Sequence, residues 1–163
     1  MILLIPFILV VCSFGKQEIK DAQPQETKQE KSKETNRIQW YDYNEGMELA
    51  KTQKKDILIN FYAKWCGYCR KMEKDTFSNR LVANYLQDNY IPILINSDKE
   101  RRLSASYGVR GLPFFWFLSF NGERITGLPG YVDADMFINY LKFIHTRSYN
   151  TMSFRDFIKK NLK

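Results

Sequence analysis

The stretch DILINFYAKWCGYCRKMEKDTF, residues 56–77, constrains the fold of this chain more than any other. Asp56 to Ala63 is a short apolar run rich in Ile and Phe, the signature of a buried strand. Cys66 and Cys69 follow behind Trp65, and the polar stretch after them has helical character. A strand that hands a cysteine pair to the first turn of a helix puts both sulfurs at one end of a sheet. At a helix N-terminus the unpaired N–H groups and the positive end of the dipole stabilise a thiolate, the form that attacks disulfides. Cys66 is therefore expected to be the exposed nucleophile. Cys69, almost one turn deeper on the same face, is expected to be shielded and able to close a disulfide. A zinc site and plain core filling are the alternatives. Tetrahedral zinc needs four ligands, and outside the pair the chain has only Cys12 and one histidine, His145. No metal is expected.

The flanking pattern predicts an α/β architecture. IQWYDY reads as a short strand, and Asn44 as the cap of a helix to about Lys55 with Met47 and Ala50 facing inward. SNRLVANYLQDNY predicts a helix with Leu81, Val82, Tyr85 and Leu86 on one face, and IPILIN a second buried strand. A short helix ends at Gly108. PFFWFLSF and ERITGLPG form a hairpin across Asn121-Gly122. Asp133 caps a helix that places His145 on the surface near its end. Ser153 caps a last one, whose Phe154, Phe157 and Ile158 pack back onto the domain or dock a partner. This order implies a mixed central sheet with helices on both faces and an extra C-terminal helix.

Residues 1–15 are not fold material. Ile2 to Phe14 is almost wholly apolar, the length of an export-signal core and short for a membrane span. Cys12 after Leu9-Val10-Val11 resembles the lipidated cysteine of a bacterial lipoprotein, although Val11 departs from the small residue that pattern wants. The alternative is an export signal or short anchor in which Cys12 is one more apolar residue. Residues 16–37 are rich in Lys, Glu and Gln and too poor in apolar side chains to offset ordering entropy. They read as a charged flexible linker, or else as a helix of i,i+4 pairs. The domain proper is expected over 38–163. The formal charge of +7 comes from scattered Lys and Arg mixed with acids. With no basic stripe and no Gly-rich phosphate loop, nucleic-acid and nucleotide roles are excluded.

ILINFYAKWCGYC and YGVRGLPFFWFLSFNGERI together resemble the two hallmarks of the thioredoxin superfamily, over roughly Trp40 to Ile144. The resemblance implies a thioredoxin-like fold, a redox-active Cys66–Cys69 pair without cofactor, and a cis Pro113. It also implies that Leu112 pairs with an extended substrate segment. Trp65, Gly67 and Tyr68 would shape the rim. Asn60 stands where many members have a buried aspartate that moves the proton of the second cysteine, and an amide cannot be that base. Glu73, four residues after Cys69, is the candidate substitute, or else a solvated surface acid. C-x-x-C-x-x-x-E is similar to the exported, membrane-linked thiol:disulfide interchange subgroup. The implied function is an exported thiol–disulfide oxidoreductase, in the reducing direction, acting on envelope proteins with disulfides or thiols. A membrane thiol electron carrier would recycle it, and the N-terminus would tether it to a bacterial membrane from the periplasmic side. A dedicated apocytochrome thiol reductase and a redox-inert binding module are the rival readings.

Overall fold

Side chains alternate strictly across the central strand. The computed structural model describes residues 37–161. The apolar N-terminal segment with Cys12, and the charged linker as far as residue 36, lie outside the described residues. Strand β1 (Asp56–Tyr62) sends Ile57, Ile59 and Phe61 to one face and Leu58 and Asn60 to the other, as a period of two requires. Its two neighbours run in different directions: β2 (Tyr90–Asn96) is parallel to it and β3 (Phe114–Leu118) antiparallel. Strand β4 (Arg124–Pro129) completes the order β2-β1-β3-β4. Pro92 sits in β2, at the sheet edge, where a missing N–H is tolerated.

Each face has its own apolar core. Helix α1 (Tyr43–Gln53) and helix α4 (Arg101–Ser106) cover the Ile57 side through Ala50, Met47 and Leu103. The Leu58 side packs against the helical segment behind the cysteines, helix α3 (Arg80–Asn89), helix α5 (Ala134–His145) and helix α6 (Phe154–Asn161). The expected cap of α5 is present, with Asp133 accepting from the Met136 N–H at 2.9 Å. Ser153 likewise accepts from the Asp156 N–H at 3.2 Å. Phe154 of α6 stacks on Tyr140 with ring centroids 3.8 Å apart, so the C-terminal helix is part of the domain core. His145 is exposed at the end of α5.

Three local expectations are corrected. IQWYDY makes only a single bridge, Tyr41 to Ile93. The side chain of Gln87 takes the Gln39 N–H at 3.0 Å, and the chain turns into α1 straight after Asp42. That helix starts at Tyr43 without a side-chain cap, so Asn44 lies inside it. Leu81 is 72% exposed. Asn79 caps α3 and sets its phase so that Val82, Ala83 and Leu86 face the core instead. The expected hairpin across Asn121-Gly122 forms, with Gly122 at φ 88 in a loop from Ser119 to Glu123.

Candidate active site

Strand β1 ends at Tyr62, and the Cys66 N–H closes a turn onto the Ala63 carbonyl at 3.1 Å. Helix α2 (Gly67–Lys71) starts there with Cys66 as its cap residue. Cys66 and Cys69 form a disulfide with Cα atoms 5.2 Å apart. The Cys66 sulfur also accepts the Cys69 N–H at 3.1 Å, one of the orphan donors of the first helical turn. After Lys71 the helix continues as a π-helical stretch, Met72–Phe77. With this winding Met72 and Thr76 both reach Val132: Met72 Sδ accepts its N–H at 3.3 Å, and Thr76 Oγ1 donates to its carbonyl at 2.7 Å. The loop before α5 is thereby pinned to the cysteine helix.

The expected ranking of the two sulfurs by exposure is corrected. Cys66 is 4% exposed and Cys69 9%, so both are buried. Leu112 and Tyr62 pack against the pair, and Ala63 is buried in the same cluster. What separates the cysteines is their place on the helix. Cys66 occupies the positive end, whereas Cys69 lies inside the first turn and lines a hollow of about 380 Å³ behind it.

The other predicted residues gather around this pair. The Leu112–Pro113 peptide bond is cis. The Pro113 carbonyl accepts the Gly130 N–H at 2.8 Å, while the backbone N–H and C=O of Leu112 have no hydrogen-bond partner among the described residues. Asn60 is buried, lines the hollow with Cys69, and its Oδ1 has no partner among the described residues. Glu73, exposed on the π-helical stretch, is the one carboxylate lining the same hollow. Trp65 and Tyr68 stand out at 69% and 64% exposed on the rim. A Cβ on Gly67 would meet nothing nearer than Arg70 Nη2 at 3.9 Å, so no close contact demands glycine there.

Three further residues belong to the site and carry no local sequence signal. Asp98, from the loop after β2, accepts the Trp65 indole N–H with both oxygens at 3.1 and 3.2 Å. Arg70 Nη1 donates to the Lys64 carbonyl at 2.8 Å and braces the loop before Cys66. Tyr131 faces Tyr68 with ring centroids 6.4 Å apart, and Lys71 lies over the Tyr131 ring at 4.6 Å. Among the described residues no three His, Cys, Asp or Glu side chains gather where they could hold a metal ion. Among the same residues no helix is long and apolar enough to cross a membrane.

Comparison with known proteins agrees with this geometry. The family model of the thioredoxin-like domain matches residues 43–145. The chain is 31% identical over 101 residues to the thiol:disulfide interchange protein DsbD of Photorhabdus laumondii, covering 59% of this chain and 18% of that protein. It is 32% identical over 102 residues to the protein of the same name from Haemophilus influenzae, covering 60% and 18%. The chain thus spans less than a fifth of the length of these relatives. Among solved structures, a thioredoxin from Thermus thermophilus superposes with a TM-score of 0.61 at 24% identity, covering 66% of this chain and 86% of that one. A thioredoxin-fold protein from Helicobacter pylori gives 0.60 at 22% identity, covering 68% and 88%. Those two likenesses show the fold; the matched domain, which spans well over half of the chain and holds the paired cysteines, shows that the chain belongs to the thioredoxin-like family.

Proposed function

We propose that the protein is an extracytoplasmic reductase that passes electrons from a membrane thiol carrier to disulfides of envelope proteins. The observation that carries the reading is the Cys66 sulfur at a helix start, 3.1 Å from the Cys69 N–H, beside the unpaired backbone of Leu112. In the reduced protein the N–H and the helix dipole stabilise the Cys66 thiolate. A substrate segment lies along Leu112, adding its backbone hydrogen bonds to groups left open there. The Cys66 thiolate attacks one substrate sulfur. A Cys66–substrate S–S bond forms, the substrate disulfide breaks, and one substrate thiolate leaves. Cys69 then loses its proton to Glu73 across the hollow, where the amide of Asn60 can orient that transfer but not accept the proton. The Cys69 thiolate attacks the Cys66 sulfur, the pair closes to a disulfide, and the second substrate thiolate leaves. Two electrons have moved from the pair to the substrate.

Export and direction rest on other support. The apolar run from Ile2 to Phe14 suits an export signal or anchor, and lipidation of Cys12 would hold the domain at a membrane on its charged linker. The relatives are named as thiol:disulfide interchange proteins, which supports disulfide exchange at this pair. The test has two parts. Cys69→Ser should accumulate mixed disulfides with envelope proteins, and Cys66→Ser should give none. The midpoint potential of the pair should lie at or below about −270 mV, the thioredoxin value. A potential near the DsbA value of about −120 mV would refute the reducing direction. Absence of adducts from Cys69→Ser would refute the assigned roles.

A further inference from the structure

A second opening is linked to the disulfide cluster through Leu112. It is a cleft of about 300 Å³ walled by Arg110, Leu112, Pro113, Phe114 and Pro129, with glycines between them. Leu112 is shared: it packs on Cys66 and Cys69 and also lines the cleft. There is open space beside the glycines: a Cβ at Gly108, Gly111 or Gly130 would meet nothing within 4 Å. Arg110 is the one charged residue in the lining, and no carboxylate faces it there. Among the described residues Arg110 makes no salt bridge and no side-chain hydrogen bond. Two basic side chains of the cysteine helix are occupied. Lys71 is paired with Asp75 and lies over Tyr131, and Arg70 holds the Lys64 carbonyl.

We propose that the Arg110 cleft selects substrates whose disulfide cysteine is flanked, within two residues, by an acidic side chain. The inference rests on the disulfide-exchange reading above and names the substrate class for that site. An extended segment that pairs with the Leu112 backbone sends alternate side chains to opposite sides. With the substrate cysteine over Cys66, a neighbouring side chain falls toward the cleft. A guanidinium without a counter-ion favours a carboxylate there, to which it can donate two parallel hydrogen bonds, and disfavours a lysine. The redox step is unchanged: the reduced Cys66–Cys69 pair gives two electrons to the peptide disulfide, and two peptide thiols leave.

The test uses the full chain in detergent, reduced with dithiothreitol and desalted. Two disulfide-linked peptide dimers, identical except for Asp or Lys flanking the cysteine, are its substrates. Each rate is divided by the rate with dithiothreitol alone, which removes the intrinsic reactivity of the peptide. The Asp peptide should react about fivefold faster than the Lys peptide at low salt, as for one partly solvated charge pair, and the ratio should shrink in 0.5 M salt. Arg110→Glu should invert the preference, and Arg110→Lys should keep its direction. Equal corrected rates for the two peptides, or a ratio that Arg110→Glu leaves unchanged, would overturn the proposal. Bis(2-hydroxyethyl) disulfide, small and neutral, separates the two levels. Its reduction by the wild type, with no peptide preference, removes the cleft assignment alone, whereas failure to reduce it removes the oxidoreductase reading as well.

Discussion

Arg147→Met should destabilise the fold by about 2–3 kcal/mol. Asp56 opens β1 and is only 5% exposed. The Arg147 guanidinium grips both of its oxygens, Nη1 on Oδ2 at 2.8 Å and Nη2 on Oδ1 at 2.8 Å. Two unit charges about 4 Å apart at an effective dielectric constant of about 20 attract by about 4 kcal/mol. The arginine side chain is 42% exposed, so water screens part of this and resolvates part of what is lost. Breaking a fully buried pair costs about 3–5 kcal/mol, and the half-open geometry places this one below that range. Lys54 and Lys55 line a small hollow together with Asp56 and Arg147, but neither is paired with Asp56. Urea unfolding followed by tryptophan fluorescence should show a lower midpoint with an unchanged slope. Asp56→Asn in the Arg147→Met background should recover part of the loss, because the stranded charge is gone. A loss below about 0.5 kcal/mol, or strictly additive single and double variants, would refute the assignment of a coupled buried pair.

Burial holds the Tyr90 phenol far above its ordinary range, and its hydroxyl donates to the Leu141 carbonyl at 2.7 Å. The unfolded phenol ionises near about pH 10 while the folded one stays protonated, so stability is full below that pH and falls above it. Tyr90→Phe should cost about 1 kcal/mol at neutral pH and flatten the alkaline decline in urea midpoints; parallel declines in both proteins would contradict this. Gly46→Ala should also destabilise: its Cβ would lie 2.4 Å from Ile93 Cγ1 and 2.6 Å from Cδ1. Overpacking costs about 1–3 kcal/mol against a helix-propensity gain of about 1 kcal/mol, so equal thermal midpoints for variant and wild type would count against the close contact. For the N-terminus, mass spectrometry of membrane-extracted protein should find a lipid-modified chain beginning at Cys12. An unmodified chain starting at Met1 would mean an uncleaved anchor instead, and a free start beyond Gly15 an ordinary secreted protein.

Local chemistry determined the strands and the cysteine helix from the sequence alone. Ile57 to Phe61, and Ile91, Ile93 and Ile95, are buried in the sheet core because runs of that apolarity have nowhere else to go. Cys66 opens a helix because a strand ends four residues before it and helix-forming residues follow. The paired motifs around Cys66 and Pro113 also announced the fold family. What remained hidden depends on residues far apart in the chain. Asp98 holds Trp65 across 33 positions, and Arg147 holds Asp56 across 91. The phase of α3 was misread at Leu81 because periodicity alone does not say which of two adjacent apolar residues meets the sheet. The exposure order of the cysteines failed for the same kind of reason. Helix position sets which sulfur feels the dipole, but burial is set by what packs against the pair, here Tyr62 and also Leu112, delivered by the segment before β3. The Arg110 cleft likewise exists only once β4 brings Pro129 and Gly130 beside Pro113. Propensity and hydrophobic pattern act over a few residues and are legible in one dimension; packing and charge pairing act over a few ångströms, between groups that only the folded chain brings together.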